Sequence, residues 1–207
     1  MKGANEEKII NSYYLDDNQI EQVTKGLVEN TKKYDLQDQL IWSIMLDSAN
    51  RVGAISKLTL SQLDLDEMMF TGIREKRGYR VEVAFDEESK NLIELWLAER
   101  KEMDNLEVDS LFITKYGKEY RPMSYSSIQQ RIQKIGEIIG LDDFHAHCVR
   151  KTKLNKIYRD TGDLSIAAEY ANHKSVETTR SSYIKPQTKA EIRDKISKLK
   201  NKKQDEE

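Results

Sequence analysis

Apolar residues recur at helical spacing along most of the chain. Over residues 17–31, Ile20, Val23 and Leu27 fall on one face, with Asp16 or Asp17 placed to cap the start. Residues 36–49 repeat the pattern through Leu40, Ile41, Ile44 and Met45, and a short third helix is predicted from Arg51 to Lys57. The period then changes. Met68 to Ile73 is largely apolar, and Gly78 to Phe85 alternates through Tyr79, Val81, Val83 and Phe85. Two antiparallel strands follow from this, joined by a turn around Glu75 to Gly78.

Helical spacing returns at Asp86 and runs through Leu92, Ile93, Trp96 and Leu97. Leu111 to Ile113 reads as a short third strand. Ser124 caps a helix carrying Ile128, Ile132, Ile135 and Ile139, with Gly140 at its end. Further helices are predicted from His145 to Thr161, closed by Gly162, from Ile166 to Ala171 behind Asp163, and from Thr178 to Ile184. After Pro186 an amphipathic helix carries Ile192, Ile196 and Leu199, and the polar tail at 201–207 reads as disordered. The order is helices, a small sheet, then more helices. That is a mainly α (α+β) domain with a small antiparallel β-sheet, occupying residues 1–200 with no internal linker.

Composition changes this picture little. A single cysteine, Cys148, excludes an internal disulfide framework and fits a reducing, cytoplasmic setting. No apolar run approaches the roughly 20 residues of a membrane span, and the N-terminus lacks a signal-peptide core. No membrane partner is expected. The net charge of −2 alone speaks against nucleic acid, but residues 111–159 carry ten Lys or Arg against four acids. Local charge governs attraction to phosphate.

Six polar residues stand in a suggestive order: Arg51, Lys76, His147, Arg150, His173 and Tyr183. Singly each has an ordinary explanation. A lone arginine is a surface ion-pair partner, a lone histidine is a hydrogen-bonded structural one, and Tyr183 is one of ten tyrosines. Together they sit in four ordered segments: LDSANRVGAISKLTLSQLDLD around Arg51, FTGIREKRGYRVEVAF around Lys76, HCVRKTKLNKIYRDTG around His147 and Arg150, and YANHKSVETTRSSYIK from His173 to Tyr183. In this order and at these separations, from about residue 15 to 200, they resemble the tyrosine recombinase (phage integrase) family.

The resemblance implies an enzyme that cleaves and rejoins double-stranded DNA through a covalent 3′-phosphotyrosine at Tyr183. Arg51 and Arg150 would clamp the phosphate, whose charge rises in the transition state and fits the planar donor fork of arginine. His173 would donate a further hydrogen bond. His147 would take the phenol proton, and Lys76 would protonate the departing 5′ oxygen, with Arg77 a neighbouring alternative in the turn. Lys118, Arg121, Lys151 and Lys153 are the expected DNA contacts. The covalent link conserves the bond energy, so no metal and no other cofactor is expected, and no metal-ligand spacing or phosphate loop stands in the sequence.

The resemblance also implies a catalytic core at about 15–185, a C-terminal helix at 187–200 that packs either on its own domain or on a neighbour in a homo-tetramer on DNA, and a preceding helical core-binding domain that is absent here. Three positions depart from the family pattern: Ala54 for an acid, Lys151 for a histidine and Asn172 for a glycine. The alternatives are a type IB topoisomerase-like nicking and resealing enzyme, a non-catalytic DNA-binding relative, and a helical interaction domain. The recombinase assignment rests on one spatial requirement, that these remote side chains converge on a pocket for one phosphodiester.

Overall fold

A computed structural model describes residues 14–75, 78–103, 106–173 and 175–184, with short stretches at 188–190, 192–193 and 196–197. Lys76, Arg77, Leu199 and the 201–207 tail lie outside the described residues, as does much of the expected terminal helix. Where that segment is described, residues 189–190, 192–193 and 196–197 are helical and Ile192 and Ile196 are exposed.

Helix α1 (Asp17–Glu29) starts on a capping box in which the Asp16 side chain and Gln19 satisfy each other's backbone. It buries Val23 and Leu27 against the domain. Helix α2 (Leu36–Ser48) is apolar on almost every side, the mark of a helix enclosed by its neighbours. Leu40, Ile41 and Ile44 are fully buried, and α1, α4, α5 and α6 pack around it. A short turn, α3 (Val52–Ile55), follows with Arg51 at its N-cap.

The sheet is larger than the sequence predicts. Strands β1 (Leu63–Asp64), β2 (Met69–Arg74) and β3 (Arg80–Ala84) form an antiparallel order β1-β2-β3. Phe70 pairs with Val83 and Ile73 with Val81, so β2 carries one extra residue in a bulge. Gly72, at φ +73°, absorbs it. The bulge puts Phe70 and Ile73, an odd number of residues apart, on the same core face.

The strand expected at Leu111 to Ile113 is corrected. Leu111 and Phe112 are buried loop residues, and strand β4 (Ile113–Tyr116) turns through Gly117 into β5 (Glu119–Pro122) as a separate two-stranded hairpin. The backbone N–H of Ile113 donates to Gln37 Oε1 at 2.9 Å, so the hairpin is hung from α2 rather than added to the first sheet.

Helix α4 (Glu87–Lys101) is capped by Asp86, and α5 (Tyr125–Gly136) by Ser124. Helix α6 (Ala146–Thr161) ends at Gly162 in the left-handed conformation. Helices α7 (Leu164–Tyr170) and α8 (Val176–Tyr183) pack on α6 and on each other. A second, smaller apolar cluster of Ala49, Leu154, Ala171 and Tyr183 lies where α2, α6, α7 and α8 meet. No described helix is long and apolar enough to cross a membrane.

The basic excess over residues 111–159 is partly offset in three dimensions by acids from the start of the chain. Arg131 pairs with Asp35 and Asp38 at 2.7 Å, Arg159 with Asp17 at 2.9 Å, and Lys156 with Asp17 at 3.5 Å. A count along one window sees only the cations, because their partners lie about a hundred residues away in sequence.

Candidate active site

Arg150 is the most unusual side chain in the molecule, a guanidinium 1% exposed. It projects from α6 one turn after His147, so the two share a helix face. Its Nη1 donates to the Ala49 carbonyl, and its Nη2 donates to the Ala171 carbonyl at 2.7 Å. Ala49 and Ala171 are the C-caps of α2 and α7. Terminal helix carbonyls lack intrahelical donors and carry partial negative charge, so two helix ends supply what a buried cation needs. The remaining Nε–H is buried with no protein partner. Burial lowers the Arg150 pKa while Tyr183 holds it up, and guanidinium stays protonated in proteins regardless.

Tyr183, the last residue of α8, is 4% exposed. It belongs to the small apolar cluster with Ala49, Leu154 and Ala171, yet its ring also meets polar groups. Its ring centroid lies 4.9 Å from that of His147 and 4.9 Å from that of His173, and the Arg150 guanidinium carbon sits 5.4 Å from it. The phenol is thus framed by two imidazoles and a cation. Asn155 on α6 donates to the Tyr183 carbonyl and fixes the end of α8.

His173 contacts Arg150 Nη2 through Nε2 at 2.9 Å and Thr179 Oγ1 through Nδ1 at 2.7 Å. Burial, and then the charges of Arg150, Arg51 and His147, hold its pKa down to about 4. The ring is therefore neutral near pH 7. Since arginine only donates, Nε2 accepts here. The residue before it, Asn172, stands at φ +53°. Asparagine tolerates this left-handed geometry better than most residues, which explains why it can occupy a glycine position.

His147 keeps an exposed edge. Partial burial first, then Arg150, His145, Arg51 and Lys151, lower its pKa, leaving it neutral and able to accept a proton.

Arg51 stands on the loop after α2, close enough for its charge to act on Arg150, His147 and His173. It is half-exposed and pairs with Glu75 at 3.3 Å. Asn50 pins this loop by donating to the Glu82 carbonyl on β3 at 2.9 Å. Lys76 and Arg77 follow Glu75 directly but are outside the described residues.

Four of the six sequence-selected residues, His147, Arg150, His173 and Tyr183, are joined by direct contacts, and Arg51 lies within electrostatic reach of three of them. Lys151 and Lys153 share α6 with His147 and Arg150, and Lys153 lies over the Tyr170 ring at 6.0 Å. Lys118 and Arg121 belong to the β4–β5 hairpin, where Arg121 stacks on Tyr116 at 4.8 Å and pairs with Glu119; no described contact joins them to the pocket. Sequence reasoning missed Ala49, Asn50, Glu75 and Ala171. The two alanines act through backbone oxygen and leave no side-chain signal. Ala54 is fully buried and has no side-chain acceptor.

Comparison with known proteins identifies the family and the fold. The family model for the phage integrase family matches residues 13–190. The chain is 26% identical over 144 residues to tyrosine recombinase XerC of Pseudomonas savastanoi pv. phaseolicola, covering 70% of this chain and 46% of that protein. It spans about half the length of the curated relatives it matches. A crystal structure of XerA recombinase superposes with TM-score 0.73 at 22% identity, covering 90% of this chain and 64% of that one. XerH site-specific recombinase bound to its difH substrate gives TM-score 0.69 at 18% identity, covering 89% and 53%. At these identities the structural likeness is one of fold. With the family model matching most of its length and its fold that of the recombinases, the chain belongs to the phage integrase family.

Proposed function

We propose that this chain is the catalytic part of a site-specific recombinase, and that it cleaves and rejoins strands of double-stranded DNA through a 3′-phosphotyrosine at Tyr183. One observation carries the reading: the Tyr183 ring is framed by His147 and His173 at 4.9 Å each, over the buried guanidinium of Arg150. A phenol with an ordinary pKa near 10 is a poor nucleophile at neutral pH. It needs a base and a positive surround, and this pocket supplies both.

In this reading a phosphodiester enters between Arg51 and Arg150. The unpartnered Nε–H of Arg150 and the half-exposed fork of Arg51 offer donors to its non-bridging oxygens. Tyr183 Oη attacks phosphorus as its proton passes to neutral His147. The P–O5′ bond breaks, and Lys76, with Arg77 as the neighbouring alternative, protonates the departing oxygen. Rejoining reverses each transfer. Residues of about 15–185 form the catalytic core. Lys151 and Lys153 beside the pocket, and Lys118 and Arg121 on the hairpin, contact the DNA backbone, so binding weakens steeply with salt. Ile192 and Ile196, exposed on the C-terminal helix, suit docking on a neighbouring protomer in a tetramer on DNA. The enzyme works in the cytoplasm.

The test is a nicked suicide duplex, which traps the covalent product. Denaturing gels should show a protein–DNA adduct from the wild-type chain and none from Tyr183→Phe. Duplex binding at low salt without any adduct would replace this reading with a non-catalytic DNA-binding relative.

A further inference from the structure

The contacts of His173 fix more than its position. Arginine has donors and no acceptor, so the 2.9 Å contact from Arg150 Nη2 requires a lone pair on Nε2. In a neutral imidazole the proton must then reside on Nδ1. Nδ1 lies 2.7 Å from the hydroxyl of Thr179, which must accept that proton's hydrogen bond. Thr179 is fully buried and stands one helical turn before Tyr183 on α8. Its own carbonyl accepts from the Ile184 backbone N–H just past the helix end. One hydroxyl thus ties the nucleophile's helix to the ring that faces the nucleophile.

We propose that Thr179 is a positioning residue that holds His173 in the Nδ1–H tautomer and keeps Nε2 directed at Arg150 and the phosphate-binding pocket. The functional half of this proposal rests on the cleavage reading above; the tautomer does not. With Nδ1–H committed to Thr179, the ring meets a phosphate only through Nε2. It can donate there only by taking one proton from solvent onto the Nε2 lone pair, becoming an imidazolium, while Nδ1–H stays on Thr179. The groups facing the ring are Arg150, Arg51, His147 and the Tyr183 phenol. An entering phosphate would offset the charges of the two arginines. The ring then changes from acceptor to donor without rotating, because Thr179 serves as acceptor in both protonation states, while Arg150 Nη2 moves its hydrogen bond from Nε2 to the phosphate.

The chain has only three histidines, so long-range proton–nitrogen NMR on a nitrogen-15 histidine-labelled sample can separate them. In the DNA-free wild type at pH 7, His173 should give the Nδ1–H pattern; the Nε2–H pattern would overturn the proposal without reference to activity. Thr179→Val should lose that clean pattern and slow adduct formation by roughly 10- to 100-fold, the scale of a misplaced reacting group. Thr179→Ser, which keeps the hydroxyl, should restore both. If the valine variant keeps the wild-type pattern and rate, Thr179 is a packing residue only. If wild type shows the Nδ1–H pattern but forms no adduct, the cleavage reading fails while the tautomer assignment stands.

Discussion

The two arginines of the pocket are held in opposite ways. Arg150 is buried, seated on two helix ends and backed by an aromatic ring. Arg51 is half-exposed, on a loop, and its one described ion pair is with a nearby acid. The first is part of the structure whether or not a phosphate is present. The second is a surface arm whose charge is provisionally occupied by Glu75. One pocket thus combines a fixed floor with an adjustable jaw, and the two should respond differently to the same perturbation.

The strongest way to break this contrast is Arg150→Ala. It strands two buried carbonyls, so unfolding by urea should show a loss on the order of 3 kcal/mol, alongside complete loss of the covalent adduct. Wild-type stability in that variant would mean the guanidinium is not the floor described above.

The floor can also be loosened by pH. Asp47, two residues before Ala49, accepts from Ser89 Oγ at 2.6 Å and from the Asp86 N–H at 3.2 Å. Burial pushes its carboxyl up to about 6. The folded state therefore binds this proton more tightly than the unfolded chain, whose carboxyl titrates near 4. The stabilisation is complete below pH 4, is lost as the pH rises through 6, and then levels off, a span on the order of 3 kcal/mol. Asp47→Asn should remove that slope from melting curves taken between pH 4 and 7; an unchanged slope would assign it to other groups.

Arg51→Ala should separate chemistry from folding. Its stability should stay within about 0.5 kcal/mol of wild type. Adduct formation should fall about 100-fold or more, as when a transition-state donor is removed. A matching loss of stability would erase the distinction between the two arginines. The smallest effect is expected from Glu75→Gln, which frees Arg51. Duplex affinity at low salt, read by fluorescence anisotropy, should rise about two- to fivefold, the scale of a partly exposed ion pair. A fall would make Glu75 a support for Arg51 rather than its competitor.

Several helices were legible from the side chain that caps their start: Asp16 for α1, Asp86 for α4, Ser124 for α5 and Asp163 for α7. The strands missed were those without a periodic apolar face. Strand β1 is two residues long, and β4 and β5 are exposed on almost every residue, so neither carries an alternation to read. The site was legible as side-chain types in order, through Arg51, His147, Arg150, His173 and Tyr183. What seats them was not. The anchors of Arg150 are backbone oxygens, and the acids that offset the basic segment belong to Asp17, Asp35 and Asp38, far away in sequence.

The seating of Arg150 has a consequence for the chain as it matures. Its guanidinium finds a home only when segments ending at residues 49 and 171 have both arrived beside residue 150. A chain caught before that assembly has its phenol but no anchored cation beneath it. On the cleavage chemistry proposed above, the cation could therefore serve the phenol only once both helix ends are in place.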